Sequence, residues 1–84
     1  METNEILRNQ IFEIIKNQLK HNNPPETKIT LDRLRAQGFN DSQARQMIGQ
    51  CISVEIYQIM KTNEPYNNAR YIENLQKLPK EPFE

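Results

Sequence analysis

The sequence predicts an all-α fold, a compact four-helix domain, on three observations. Apolar residues recur at three- and four-residue steps over four stretches. The segments between them are short and rich in Asn, Gly and Pro, which start and stop helices. The turn Gln37-Gly38-Phe39-Asn40-Asp41 closes one helix and opens the next almost without a gap. The helices are expected at about 4–20, 25–37, 41–61 and 67–78. They should pack around the third in an irregular arrangement rather than an up-down-up-down bundle. One domain is expected over residues 1–79, followed by a flexible tail at 80–84 that is too short and polar to fold.

The first helix shows Ile6, Leu7, Ile11, Ile14, Ile15 and Leu19 as its apolar face, with Thr3 as N-cap. His21-Asn22-Asn23-Pro24 ends it, because Asn tolerates a left-handed cap and the residue before proline resists the α region. Asn23 then reads as the cap of the second helix, with Pro24 at its first position and Glu26 completing a capping box. Thr27 and Thr30 are alternative starts. Leu31 and Leu34 supply its inner face, and Gly38 stops it where a positive φ is cheap only without a Cβ.

The third helix opens on Asn40 as N-cap with Gln43 as its capping-box partner, and Phe39 is placed to staple against Ala44. Its stripe runs through Ala44, Met47, Ile48, Cys51, Ile52 and Ile59, widened by Val54, Ile56 and Met60, so it should form the spine of the core. The fourth repeats the pattern, with Tyr66 before the cap Asn67 and Tyr71 one turn inside. Tyr71, Ile72, Leu75 and Leu78 form its buried face, and Pro79 ends it.

Composition removes several classes of function. Eleven basic residues balance eleven acidic ones, which argues against a dedicated binder of nucleic acid or anionic membrane. One cysteine allows no internal disulfide. No apolar run approaches the roughly 20 residues of a membrane span, and the N-terminus lacks a signal-peptide layout, so a cytoplasmic location is expected. His21 and Cys51 have no companions with metal-ligand or nucleophile–base spacing. No metal or other cofactor is expected, and no constellation supplies acid, base and nucleophile together, so the chain reads as a non-enzyme.

Glu55 stands in the middle of the apolar stripe of the third helix. A buried carboxylate must be paired or protonated, and either it marks a functional site or it pairs with a neighbouring Arg or Lys such as Arg33. Gly49, inside the same helix, points to close approach by a partner or by another helix of the same domain. The unit made by the second and third helices is also compatible with a helix-turn-helix. Gln43, Arg45, Gln46 and Gln50 would then face bases, and Lys28, Arg33 and Arg35 phosphates. Four basic and two acidic residues between Lys28 and Arg45 leave only +2, a thin supply for phosphate neutralisation. Phe39, Met47, Tyr57, Met60 and Tyr66 exceed what so small a core needs, and Met and Tyr are favoured at partner surfaces.

Several elements from Asn23 onward resemble a small helical domain of uncharacterised bacterial proteins. They are Asn23-Pro24-Pro25, Thr30-x-x-Arg33-Leu34, Gly38-Phe39, Ala44, Ile48, Glu55-Ile56-Tyr57, Pro65-Tyr66-Asn67-x-x-Arg70-Tyr71 and Leu75-x-x-Leu78-Pro79. That resemblance implies a bacterial origin and a fold class, and no site. Leu34-x-x-x-Gly38-Phe39 with Ala44 and Ile48 is also similar to the first loop of ubiquitin-associated modules, which implies recognition through the aromatic residue. The leading expectation is a non-enzymatic protein-interaction module, binding another protein or itself. Its candidate surface is Phe39, Met47, Glu55, Tyr57, Tyr66 and Tyr71. The alternative is a small nucleic-acid-binding regulator using the helix at 41–61.

Overall fold

A computed structural model describes residues 2–82, with side chains from Glu5 onward. It contains four helices, α1 (Glu2–His21), α2 (Pro25–Ala36), α3 (Asp41–Thr62) and α4 (Asn68–Lys77), and no strand among the described residues. Both α2 and α3 pack against all three other helices, whereas α1 and α4 meet through side chains only. α3 is thus the expected spine, and α2 shares its position against every other helix.

The caps account for most of the boundaries. α1 and α2 both end in Schellman motifs. Asn22 adopts φ 52° while Asn22 N–H donates to the Leu19 carbonyl and Asn23 N–H to that of Gln18. Gly38 does the same at φ 104°, with Gly38 N–H to Arg35 and Phe39 N–H to Leu34. At the head of α3 the capping box forms as expected: Gln43 N–H donates to Asn40 Oδ1 at 2.8 Å, and Asn40 N–H to Gln43 Oε1 at 2.9 Å. Asn67 caps α4 by accepting from Arg70 N–H. The Tyr66 and Tyr71 rings pack 5.9 Å apart and tilted, so the second staple is present.

Two helix starts differ from expectation. α1 is already helical at Glu2, so Thr3 lies inside the helix rather than capping it. α2 begins at Pro25, its N-cap is Pro24 in an extended conformation, and no side chain caps it. The reason is the second proline. Pro25 disfavours the α region for the residue before it, which keeps Pro24 out of the helix and strands Asn23 one position too early. Glu26 and Asn23 consequently form no capping box. Of the expected tail, residues 83–84 lie outside the described residues, and Lys80 N–H donates back to the Lys77 carbonyl.

The core consists of Ile11 and Ile15 from α1, Leu31 and Leu34 from α2, and Ala44, Ile48, Cys51 and Ile52 from α3. Tyr71 and Leu75 of α4 and the following Leu78 complete it. Phe12, Ile14, Leu19, Phe39, Met47 and Ile56 pack around that cluster half-buried. Ile6, Leu7 and Ile59 have the right period for a buried face but remain exposed. They lie toward the ends of their helices, where no neighbouring element covers them. Gly49 is a packing glycine: a Cβ there would stand 3.1 Å from Ile11 Cγ2, so its absence lets α1 approach α3.

Candidate functional site

The polar chemistry of the molecule is concentrated around α4. Glu55, one per cent exposed, projects from α3 toward the head of α4. Its Oε2 accepts from Arg70 Nε at 2.6 Å, and its Oε1 accepts from Arg70 Nη2 and from the Asn67 backbone N–H, both at 3.0 Å. The expected ion pair exists, but its partner is Arg70 and not Arg33. Burial alone would raise the Glu55 carboxyl. The hydrogen bonds from Arg70 and Asn67 and the guanidinium charge outweigh it and hold the group below the usual carboxylate range.

Arg33 serves the other end of the same helix. Its guanidinium donates to the Leu78 carbonyl at 2.8 Å and the Leu75 carbonyl at 2.9 Å. A carboxylate thus sits at the N-terminus of α4 and a cation at its C-terminus, each matched to the helix dipole and to backbone groups that lack helical partners. Between them, Tyr71 Oη and Thr27 Oγ1 both donate to Gln18 Oε1, at 2.8 and 2.7 Å. One carbonyl with two lone pairs satisfies both hydroxyls, and the network ties α1, α2 and α4 together across the core. Sequence reasoning missed this network. Thr27 read as a capping residue, and Gln18 lies beside the apolar stripe of α1 with no signal of its own.

The predicted surface residues separate into three groups. Glu55 and Tyr71 are buried and offer no side chain to a partner, because one is consumed by the ion pair and the other by the core. This corrects their assignment to a contact surface. Phe39 and Met47 are half-buried against the core. Tyr57 and Tyr66 are exposed, at 58 and 44 per cent, and are joined by Met60 at 80 per cent and by Ile59. Every residue from Ile59 to Ala69 is exposed. Tyr57 and Met60 share one side of the last two turns of α3, with Lys61 Nζ 5.6 Å from the Tyr57 ring centroid. Ile59, one turn beyond Glu55, falls on the side facing α4.

His21 is exposed, and it is the last residue of α1 rather than part of the loop that follows. Cys51 is buried, its thiol facing the Met47 carbonyl at 3.8 Å and pushed up to about 12 by desolvation, so it is held as a neutral packing residue. Among the described residues no three His, Cys, Asp or Glu side chains converge. No described helix is long and apolar enough to cross a membrane. Of the basic residues invoked for a helix-turn-helix, Arg33 is committed to α4, while Lys28 stands beside Asp32, and Arg35 and Arg45 beside Asp41, at the surface.

With this geometry the molecule belongs to the class of small all-α domains. No protein-family model matches the chain, and no curated protein and no solved structure matches it either.

Proposed function

We propose that this chain is a non-enzymatic protein-interaction module of the cytoplasm that binds through the C-terminal end of α3 and the adjoining Tyr66. The observation that carries this reading is the apolar ring of Tyr57, Ile59, Met60 and Tyr66 around that end. A helix apolar on more than one side is ordinarily surrounded, and here every residue from Ile59 to the end of α3 is exposed. Tyr and Met are side chains favoured at such contacts. The nucleic-acid alternative has few cations to draw on, since Arg33 is committed to α4 and Lys28, Arg35 and Arg45 each stand beside an acid.

The test is affinity capture with chemical cross-linking, run with and without nuclease, on the natural sequence and on Met60→Asp and Tyr57→Asp. Both variants should keep the far-ultraviolet spectrum of a folded helical domain and lose the nuclease-resistant partner, or the self-associated species if the partner is a second copy. Retention of the partner by both variants would overturn the assignment of this surface. Capture abolished by nuclease alone would transfer support to the nucleic-acid reading.

A further inference from the structure

On the flank of the molecule between α1 and α3 lies an open cleft of about 300 Å³, at the small end of the range used by ligand sites. Gly49 forms part of its wall. Leu7, Ile11 and Phe12 of α1 supply the apolar lining. The polar groups do not cancel one another. Gln50 Oε1 is buried with no hydrogen-bond partner among the described residues. Ser53, which also lines the cleft, donates its hydroxyl proton to the Gly49 carbonyl at 3.0 Å, which leaves its oxygen only the role of an acceptor toward anything else. Arg8 also lines the cleft and makes no ion pair among the described residues. A buried acceptor without a donor is rare in folded proteins and calls for an occupant or a side-chain turn toward one. A fitting molecule needs an N–H for the acceptors, an apolar group for the lining, and negative charge for Arg8.

We propose that the α1–α3 cleft binds a small carboxylate bearing an apolar side chain and an amide N–H, the chemistry of an acylated apolar amino acid. The same chemistry is offered by a free acylamino acid and by the last residue of a polypeptide. The Gln50 amide turns into the cleft to accept the N–H, the carboxylate meets Arg8, and the side chain lies on Leu7 and Phe12. This site does not include Tyr57, Met60 or Tyr66, so its failure leaves the reading of the α3 end untouched.

The test is a titration of the isotopically labelled protein, followed by amide chemical shifts. The probes are N-acetyl-leucine, its uncharged carboxamide, and a short peptide ending in leucine. Shifts should cluster at Arg8, Phe12, Gly49, Gln50 and Ser53, with a dissociation constant for N-acetyl-leucine on the order of 1 mM. The carboxamide should bind about fivefold more weakly. Arg8→Gln should erase that preference, and Gln50→Leu should weaken both ligands; the amide spectrum of each variant reports that it is folded. A peptide that binds more tightly than N-acetyl-leucine identifies a chain terminus as the ligand, and equal binding identifies the free acylamino acid. Shifts scattered over the surface, equal binding of acid and carboxamide, or an Arg8→Gln variant that keeps the preference would each overturn the proposal.

Discussion

With both oxygens committed to Arg70 and the Asn67 N–H, the Glu55 carboxylate is at its most stable when ionised. Its folded-state value lies below the ordinary one, so its contribution is present above the usual carboxylate range. That contribution is lost as pH falls through the depressed value. Glu55→Gln keeps the volume and removes the charge. It should lower stability at neutral pH by about 1–2 kcal/mol, a drop in Tm of roughly 5–10 °C for a domain this small. The deficit should shrink in acid, once the wild-type carboxyl is protonated as well. Thermal unfolding at several pH values checks this, and a deficit that stays constant into acid would show that volume rather than charge matters. Gly38 sits at φ 104° with open space where a Cβ would go, so Gly38→Ala introduces backbone strain without a clash. A loss of about 1–2 kcal/mol is expected, measured by denaturant titration.

At the level of elements, helix existence and most helix ends could be read from the sequence because they depend on local chemistry. Asn40 with Gln43, the Tyr66–Tyr71 staple, and the left-handed stops at Asn22 and Gly38 all act within five or six residues. What could not be read depends on packing between elements. The period of Ile6, Leu7 and Ile59 is helical, but only the tertiary arrangement decides that nothing covers them. Glu55 could be flagged as needing a partner, but which arginine supplies it depends on where α4 lands. Arg33 had no local signal for its role at the far end of α4. Arg33→Met should release the Leu75 and Leu78 carbonyls and cost about 1–2 kcal/mol. Amide hydrogen exchange should then quicken in α4 before α1. For Gly49→Ala two effects oppose: a gain of about 1 kcal/mol in helix propensity and a contact at 3.1 Å with the Ile11 γ2 methyl. Ile11 borders the open cleft and can give, so stability should stay within about 0.5 kcal/mol of the parent, whereas Gly49→Leu should be clearly destabilising by the same denaturant measurement.

For the molecule as a whole, the alkaline limit is set in the core. Burial holds Cys51 and Tyr71 up at about 12, so both stay protonated while the folded state persists. In the unfolded chain they ionise at their ordinary values, the thiol first, near 9.0. The unfolded state therefore sheds protons that the folded state keeps, and stability falls as pH rises above that value. Cys51→Ala, despite a small loss of packing at neutral pH, should show a shallower decline between pH values of about 9 and 11. An equal slope in both proteins would remove Cys51 from the account.

The clamp on α4 has a bearing on how the chain is made. Glu55 and Arg33 both precede the helix they hold, and so does Gln18, whose Oε1 accepts the Tyr71 hydroxyl proton. A nascent chain that has released only its first three helices from the ribosome carries a carboxylate and a guanidinium with no mates, beside apolar residues that α4 has yet to cover. Until α4 is present, such a chain holds the acceptors and donors of the clamp but not the helix that satisfies them.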